Sequence, residues 1–412
     1  MADAIRIERC RSCGAPNPRP FLDLGVTPVA NALLDEADLG APEPRFPLEV
    51  AMCESCTLVQ LTHVLPADRI FDAAYPYFSS YSDVVVAHAK EHVEGLISSG
   101  RLGSDSLIVE VASNDGYLLK HAAEAGIGVL GIEPTPGPAA ASRALGIPTV
   151  EAFFGEDLAR TLCEEGKRAD VIVANNVMAH VPDLNSFVAG FRTLVADDGV
   201  ITVENPWVRD LVQRSEFDTI YHEHVCYLSC TAVDNLMRRH SLSLNDVEYF
   251  PDLHGGTLRW WISPIAARTA RLERYLAEER AIGMTSFAFY AELGAKVRRA
   301  VDALKGLLAS LKAEGASIAA YAAAAKGATL LNYAGIDRST IDFVVDRNVH
   351  KQGKYMPGAR LPILDPVALV ERRPDYVLIL AWNFEAEIVA QQQAYRDLGG
   401  RFIIPIPEPR IV

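Results

Sequence analysis

The chain has 412 residues, which at about 150 residues per domain predicts two or three domains. Half of the residues are hydrophobic and 22% are charged, so collagen-like and low-complexity chains are excluded. The 39 Lys and Arg residues against 53 Asp and Glu residues give a net charge of −14. This charge argues against nucleic acid binding along a phosphate backbone, but not against a small anionic substrate.

The hydropathy and the first residues predict where the protein works. No run of 18 apolar residues occurs, so we expect no membrane-spanning helix and no membrane partner. The start, MADAIRIERCRSCG, carries charges where a signal peptide needs an apolar stretch. We therefore expect a cytoplasmic protein whose seven cysteines stay reduced and form no disulfide framework.

Two C-x-x-C pairs lie near the start of the chain, at Cys10 with Cys13 and at Cys53 with Cys56. Each spacing lets a tight turn aim both thiolates at one point, and two such turns complete a tetrahedral site. Four thiolates leave no open coordination position, so the sequence predicts a structural Zn²⁺ in a module over residues 1–70. A redox pair and ordinary core thiols are the alternatives.

A domain over residues 71–265 follows, and it is predicted to be a doubly wound α/β domain. Helical stretches alternate with apolar runs typical of buried parallel strands, at 107–111, 127–132, 170–174 and 199–204. The turn after the first run reads ASNDG and is not G-x-G-x-x-G. The missing glycines disfavour NAD and FAD, whose pyrophosphate needs close approach to glycine backbone, and leave room for S-adenosylmethionine, which carries no phosphate. Glu133 ends the second run, near the offset at which an acid meets ribose hydroxyls.

Residues Tyr75 to Tyr81 read YPYFSSY and offer hydroxyls and stacking faces for a ring or a base, through Tyr75, Tyr77, Ser79 and Tyr81. Further along, the segment HGGTLR begins at His254 and joins a glycine turn to a basic flank. We interpret these residues as candidates for substrate binding.

The segment FDTIYHEHVCYLS concentrates groups that move protons, at Tyr221, His222, Glu223 and His224. Histidine is the side chain best suited to proton transfer near neutral pH, and a neighbouring carboxylate can orient it. A fragment of a metal site and a plain polar loop are the alternatives. The metal site is disfavoured, because the two histidines lack helical spacing and no third ligand is evident.

The remaining chain is predicted to form a helical connector over residues 266–314 and a second Rossmann-like domain over 315–412. In that domain Lys326 enters a helix after a strand and a turn of small residues, which favours an anion cradle. Arg347, Asn348 and Lys351 follow the next predicted strand. An exposed basic loop is the alternative for this second group.

Taken in order, these segments resemble the S-adenosylmethionine-dependent sugar C-methyltransferases that act on dTDP-linked 4-keto deoxysugars in antibiotic biosynthesis. The resemblance covers essentially the whole chain. It depends on the paired C-x-x-C motifs, YPYFSSYS, EVASNDGYLL, GIEP, NNVMAHVPDL, YHEHVCY, HGGTLRWW and the C-terminal strand and turn segments.

The resemblance implies a class I methyltransferase domain that binds S-adenosylmethionine. In it, Glu110, Ala112 and Asn114 would line the methionine side, Glu133 would hold the ribose, and Asn175 and Asn176 would lie near methyl transfer. With the glycine of the turn, the implied cofactor residues are Glu110, Ala112, Asn114, Gly116, Glu133, Asn175 and Asn176.

The resemblance also implies C-methylation of a dTDP-linked 4-keto sugar, with C-3′ preferred and C-5′ as the alternative. Our hypothesis makes His224 the base that removes the proton next to the ketone, with His222 as its rival. Tyr221 stabilises the enolate, Glu223 orients the site and Tyr75 completes the catalytic group. The C-terminal domain would hold the diphosphate. An NAD(P)-dependent oxidoreductase and a zinc-ribbon interaction protein are the other readings, and the oligomeric state stays open.

Overall fold

The computed structural model describes residues 4–66, 70, 78–253 and 255–412. Within these residues the strands form one strand pair and sheets of four, seven and six strands. The larger two are α/β sheets with mainly parallel strands, as the sequence predicts. The predicted fold class is therefore confirmed.

The four-stranded sheet belongs mainly to the cysteine-rich module. Antiparallel pairing joins its strands, and the last strand added is the short segment Cys226–Tyr227 from far along the chain. A 3-10 helix covers Glu36–Gly40. The first strands are β1 (Ile5–Arg6), β2 (Arg19–Thr27), β3 (Phe46–Met52), β4 (Val59–Leu61) and β5 (His63–Val64).

The seven-stranded sheet buries side chains on both of its faces, where they pack in two separate clusters. Its strands and the one that joins the first module are β6 (Leu107–Val111), β7 (Gly128–Ile132), β8 (Thr149–Val150), β9 (Ala169–Asn175), β10 (Val195–Pro206), β11 (Cys226–Tyr227), β12 (Ser243–Phe250) and β13 (Thr257–Ser263). Its helices are α1 (Asp83–Ser98), α2 (Leu119–Glu124), α3 (Pro136–Ala144), α4 (Glu156–Glu164), α5 (Leu184–Leu194), α6 (Val208–Gln213) and α7 (Cys230–Arg239).

The strand order of this sheet is β12-β13-β10-β9-β6-β7-β8. The parallel strands have almost fully buried runs because helices cover both faces, which explains why their sequences are continuously apolar. The order reverses beside β6, so the loops after β6 and β9 open a crevice at the carboxyl ends of the strands. Single turns of 3-10 helix lie near this edge, at Ser79–Tyr81, Met178–His180 and Phe217–Thr219.

The connector consists of α8 (Ala270–Ala281), α9 (Ala288–Ala291) and α10 (Leu293–Ala313). The long helix α10 buries Val297, Leu304 and Leu311, whose seven-residue spacing keeps them on one face. This helix contacts β2 of the cysteine-rich module and α11 of the domain that follows, while α8 contacts α7 and β12. The connector therefore joins all three parts of the chain.

The six-stranded sheet has the order β16-β15-β14-β17-β18-β19, parallel except at its last strand. Predicted strand 341–346 is shorter here, because only residues 344 and 345 pair in the sheet. The elements are β14 (Ile318–Tyr321), α11 (Ala325–Ala334), β15 (Val344–Val345), β16 (Ile363–Leu364), α12 (Ala368–Arg372), β17 (Tyr376–Ile379), α13 (Glu385–Gln391), α14 (Gln393–Asp397), β18 (Arg401–Ile404) and β19 (Arg410–Ile411).

Among the described residues, no helix combines the length and the apolar character needed to cross a membrane.

Candidate active site

The four predicted metal ligands converge in the first module. The sulfur atoms of Cys10, Cys13, Cys53 and Cys56 all lie within 4.8 Å of one another. A tetrahedral zinc site with Zn–S bonds of about 2.3 Å places its sulfurs roughly 3.8 Å apart, so the set fits Zn²⁺. Gln60 donates from Nε2 to the Cys10 sulfur at 3.2 Å, which favours the thiolate that a metal requires.

The zinc module also supports the segment that carries the proton-transfer groups. Its strand β4 pairs with β11, with Gln60 opposite Cys226 and Val59 opposite Tyr227. His224 lies two residues before β11. The zinc module therefore helps to fix the backbone of this segment, although the metal itself has no open position for chemistry.

A cavity of about 580 Å³ lies where the carboxyl ends of the two parallel sheets meet. Its walls come from three parts of the chain. The loops after β6, β7 and β9 form one part of the wall, called the first end, and the loops after β14 and β15 form another, called the second end. The segment around the turn Tyr221–His224 contacts both, through the ring of His180 and the hydroxyl of Thr329. The predicted residues on its walls are Ser79, Ala112, Asn114, Glu133, Asn175, Asn176, Tyr221, His224, Lys326 and Lys351.

The loop after β6 has an unusual backbone. Ala112 and Asn114 have φ of 57° and 49°, which lie in the left-handed region that residues other than glycine rarely adopt. The side chain of Asn114 accepts a hydrogen bond from the Ser79 backbone N–H at 2.8 Å, and Asp115 accepts one from Ser80 at 3.1 Å. The loop thus holds the turn Ser79–Tyr81 at the edge of the cavity.

Glu110 and Gly116, two of the predicted cofactor residues, lie behind this loop and not on the cavity wall. Glu110 is 1% exposed, and its burial raises the pKa of its carboxyl well above the ordinary value. A Cβ on Gly116 would lie 2.6 Å from Cδ1 of Ile147, so the glycine makes room for packing. In the structure both residues shape the loop from behind.

Glu133 ends β7 and lines the cavity. Its carboxylate accepts hydrogen bonds from the backbone N–H groups of Asn114 at 2.9 Å and Thr135 at 2.8 Å. Burial raises its pKa, and these donors offset part of the rise. A buried acceptor at the end of the second strand suits the ribose hydroxyls of an adenosine ligand. Phe153 and Phe154 also line this end, and our sequence reasoning missed them.

The turn Tyr221–His224 presents its first and last side chains to the cavity. The backbone N–H of His224 donates to the Tyr221 carbonyl at 2.9 Å, which closes the turn. Nδ1 of His224 lies 2.9 Å from the carbonyl oxygen of Thr219, which only accepts, so the proton is on Nδ1. Nε2 then carries the lone pair and accepts from the Tyr221 hydroxyl at 2.8 Å. In its neutral form, the His224 imidazole therefore has Nε2 as its basic nitrogen, and the side chain lines the cavity.

The two residues inside the turn point towards the zinc module. His222 is 2% exposed, its Nε2 lies 3.3 Å from the Phe46 carbonyl oxygen, and burial lowers its pKa to about 4. Glu223 accepts hydrogen bonds from the backbone and side-chain nitrogens of Asn31 at 3.3 and 3.1 Å, and burial raises its pKa to about 7. The geometry therefore favours His224 over His222 as the base.

Two further residues at this position were missed by the sequence reasoning. His180 donates from Nδ1 to the carbonyl oxygen of Glu223 at 2.8 Å, and its ring centroid lies 4.7 Å from that of His224. Burial lowers the pKa of His180 to about 4, so it is neutral at pH 7. Asn31 belongs to the zinc module and reaches the same cavity. His180 stands in the segment NNVMAHVPDL, where the histidine itself was the available signal.

The other end of the cavity is basic. Lys326, at the start of α11, donates from Nζ to Oδ1 of Asn383 at 2.8 Å and lies 4.7 Å from the ring centroid of Trp382. Lys351 donates from Nζ to the carbonyl oxygen of Ala323 at 2.8 Å. Both lysines line the cavity, so they are placed to meet an anionic group.

Several predicted substrate residues lie elsewhere. Arg347 is exposed and pairs with Glu387 at 3.5 Å, while Asn348 is buried and accepts from the His350 backbone N–H at 2.9 Å. Tyr81 is 44% exposed and packs its edge against Phe78 and His350. The structure does not bring these three to the cavity wall. The predicted residues that lie outside the described part of the chain are Tyr75, Tyr77 and His254.

The doubly wound sheet, the crevice beside β6 and the acid directly after β7 fit an S-adenosylmethionine-dependent methyltransferase. Family models agree with this class along the chain. A methyltransferase domain matches residues 92–245, a zinc binding domain matches residues 10–71, and a C-methyltransferase C-terminal domain matches residues 252–407. The chain is thus an enzyme that uses S-adenosylmethionine and holds a structural zinc ion.

A full-length relative narrows the class. The C-methyltransferase NovU of Streptomyces niveus is 34% identical over 417 residues, covering 100% of this chain and 99% of its own length. The chain belongs to this C-methyltransferase family. The predicted class of enzyme and the predicted S-adenosylmethionine and zinc are confirmed.

Solved structures of methyltransferases are less similar to this chain. Magnesium protoporphyrin IX methyltransferase from Synechocystis PCC 6803 with bound S-adenosylmethionine is 14% identical, with a TM-score of 0.34, over 49% of this chain and 89% of its own. A methyltransferase from Archaeoglobus fulgidus is 12% identical, with a TM-score of 0.35, over 40% and 72% of the two chains.

Proposed function

We propose that the enzyme methylates a ring carbon of a dTDP-linked 4-keto deoxysugar, with C-3′ as the preferred carbon, in a cytoplasmic pathway of antibiotic deoxysugar biosynthesis. The supporting observation is the cavity, which extends from Glu133 past Tyr221 and His224 to Lys326 and Lys351. A site with an adenosine-type end, a base in the middle and a basic end suits a methyl donor and an anionic sugar nucleotide together. The preference for dTDP and for C-3′ comes from the sequence resemblance.

In this proposal each part of the chain has one task. Residues 1–70 bind zinc and support the catalytic turn, and residues 71–265 bind the methyl donor. Residues 266–314 connect the parts, and residues 315–412 hold the nucleotide diphosphate. The net charge of −14 does not oppose this role, because the two lysines at the cavity are local.

The chemistry begins at a carbon next to a ketone, which is a weak acid. Nε2 of His224 takes this proton, since the Thr219 carbonyl keeps the other ring nitrogen protonated. The Tyr221 hydroxyl, now 2.8 Å from Nε2, turns to donate to the ketone oxygen and stabilises the enolate. Asn31 holds Glu223 against the same turn, and burial raises the pKa of Glu223 to about 7.

Glu133, Ala112, Asn114, Asn175 and Asn176 would hold S-adenosylmethionine at the other end. When bound, this cofactor would supply an electrophilic methyl group for the enolate carbon. The remaining task of the protein is to exclude water. The side chains Phe153 and Phe154 form an apolar wall at that end.

The test is incubation of the zinc-loaded enzyme with S-adenosylmethionine and a panel of dTDP-linked 4-keto sugars. We expect one sugar nucleotide to gain the mass of one methylene unit, and NMR of the product to place the new methyl at C-3′. A methyl at C-5′ would correct the position and keep the class of substrate. No product from any keto sugar, with tight binding of S-adenosylhomocysteine retained, would overturn the proposed substrate.

A further inference from the structure

The segment 218–220, directly before the turn Tyr221–His224, is held by side chains of the C-terminal α/β domain. Thr329, on α11, donates a hydrogen bond from Oγ1 to the carbonyl oxygen of Ile220 at 3.0 Å. Trp382, which follows β17, donates from Nε1 to Oδ2 of Asp218 at 2.7 Å. These two contacts hold the residues on either side of Thr219.

Thr219 is the residue whose carbonyl oxygen fixes the proton of His224 on Nδ1, at 2.9 Å. A shift of this carbonyl would free Nδ1 and allow the proton to move to Nε2, which would then be unable to act as a base. The side chain of Thr219 makes a local hydrogen bond, to the carbonyl oxygen of Glu216 at 2.7 Å. The contacts at Asp218 and Ile220 therefore connect the segment 218–220 to the neighbouring domain.

The Thr329 contact is buried and the Trp382 contact is partly buried, so access of water to both is restricted. Thr329 is 4% exposed and Asp218 is 0% exposed. Burial raises the pKa of Asp218 to about 6, while the charge of Lys326 and the Trp382 N–H offset part of the rise. Asp218 is thus mainly a carboxylate at neutral pH, which makes it a strong acceptor for the indole N–H.

The same indole reaches the basic end of the cavity. Its ring centroid lies 4.7 Å from Nζ of Lys326, and Lys326 lines the cavity wall. Trp382 therefore contacts both Lys326, a candidate ligand of the substrate, and Asp218, which lies beside the carbonyl that orients the base.

We propose that Thr329 and Trp382 are positioning residues for His224. By holding the segment 218–220, they keep the Thr219 carbonyl oxygen bonded to Nδ1–H of His224 and so keep the lone pair on Nε2. This inference rests on the proposed role of His224 as the base. It gives the C-terminal domain a task beyond substrate binding, because a domain that holds the diphosphate also sets the tautomer of the base.

The test uses the full-length, zinc-loaded enzyme and four variants. Thr329→Val removes the hydroxyl and keeps the shape, and Thr329→Ser keeps the hydroxyl. Trp382→Phe removes the indole N–H. Tyr395→Phe is the matched control, because Tyr395 donates a buried hydrogen bond to the Pro374 carbonyl oxygen at 2.8 Å within the same domain, away from the turn.

The first measurement is the ¹⁵N NMR spectrum of histidine-labelled protein, in which the signals of His224 are assigned by their loss in His224→Gln. We expect Nδ1–H in the wild type, Thr329→Ser and Tyr395→Phe, and a mixture of tautomers in Thr329→Val and Trp382→Phe. The second is solvent deuterium exchange at the sugar carbon. We expect kcat to fall by about tenfold in the latter two variants, with KM within about twofold.

A wild-type tautomer and exchange rate in both Thr329→Val and Trp382→Phe would overturn the inference. If Trp382→Phe fails to fold, the comparison of Thr329→Val with Thr329→Ser decides alone. The NMR result does not depend on the substrate. Full activity of a variant that lacks His224 would refute its role as base, whereas an unchanged tautomer would refute only the positioning role.

Discussion

The two parallel sheets present the same edge to the cavity with different charges. In each, the residue directly after the first strand is a left-handed alanine, Ala112 after β6 with φ 57° and Ala322 after β14 with φ 76°. The loops that follow diverge. The first end brings the carboxylate of Glu133 to the wall, and the second brings the ammonium groups of Lys326 and Lys351. The backbone topology repeats, and the side chains decide which ligand each end accepts.

This difference matches the charges of the two proposed ligands. A sulfonium is positive and is not repelled by a carboxylate, whereas a diphosphate needs cations around it. His224, whose Nε2 meets the Tyr221 hydroxyl, lines the cavity together with residues of both ends. The comparison therefore predicts that variants at the two ends affect different substrates, and that a variant in the middle affects the reaction itself.

The largest effect is expected for His224→Asn. Loss of a positioned general base lowers the rate by roughly 10²- to 10⁴-fold, so methyl transfer and solvent deuterium exchange at the sugar carbon should both fall to that extent. KM for either substrate should change little, since the two ends stay intact. The measurement is steady-state turnover, with exchange followed separately by NMR.

His222→Asn is the matched control within the same turn. His222 is buried against Phe46, so this variant should lose stability but keep turnover within about threefold below its melting temperature. If exchange persists in His224→Asn and disappears in His222→Asn, the two histidines have the opposite roles.

A smaller effect, on stability, is expected for Glu223→Gln. The folded pKa of Glu223 is about 7 against an ordinary value of 4.5, because burial disfavours its charge. An acid with a raised folded pKa destabilises the fold as pH rises from the unfolded value to the folded value. The glutamine variant should therefore gain stability over the wild type between pH 4.5 and 7, by up to about 3 kcal/mol, and keep that difference above pH 7.

Urea unfolding at a series of pH values measures this difference. Glu124→Gln is the control, because the side chain of Glu124 is 74% exposed and should show no comparable dependence on pH. A difference that stays constant from pH 5 to pH 8 would mean that Glu223 is charged in the folded protein throughout.

Next in size is the effect of Glu133→Gln at the first end. Asn114 donates to one carboxylate oxygen of Glu133 and Thr135 to the other, so an amide can keep only one of these two backbone donors and has one acceptor fewer for the ribose hydroxyls. We expect the Kd for S-adenosylhomocysteine to rise about 10- to 50-fold by calorimetry. Thr135→Val, which removes a hydroxyl donor to Glu133 and keeps the carboxylate, should have a smaller effect. An unchanged Kd in Glu133→Gln would remove Glu133 from the cofactor site.

The inner parallel strands β6, β7, β9, β14 and β17 were predictable because each is a largely apolar run, which a sheet covered on both faces requires. The strands β8, β12, β13, β16 and β19 were not predicted, since they are two residues long or mix polar with apolar residues. The four cysteines were predictable because their spacing alone sets the geometry of the site. The shared strand β11 was not predictable. Its pairing with β4 joins residues more than 160 positions apart, and the two residues carry no signal of their partner.

The candidate site was likewise predictable from the sequence only in part. Sequence placed Tyr221, His222, Glu223 and His224 together, but only the turn shows that the outer two face the cavity. Glu110 and Gly116 occur in the right motif and yet lie behind the loop, since a motif fixes the order of residues and not their direction. Asn31 came from a separate module, which local patterns cannot reveal.

The smallest effect is expected at the second end. Lys351→Gln removes one of the two lysines that the described residues bring to the cavity wall, so KM for the sugar nucleotide should rise about five- to tenfold while KM for S-adenosylmethionine stays the same. Lys351 is a better probe than a charge reversal at Lys326, because a carboxylate there would face Asp218 and Glu216 and would endanger the fold. Arg347→Gln is the control. Its guanidinium is exposed and paired with Glu387, so it should leave both KM values unchanged. An equal rise for both substrates in Lys351→Gln would mean that the two ends are not separate, and that one ligand occupies the whole cavity.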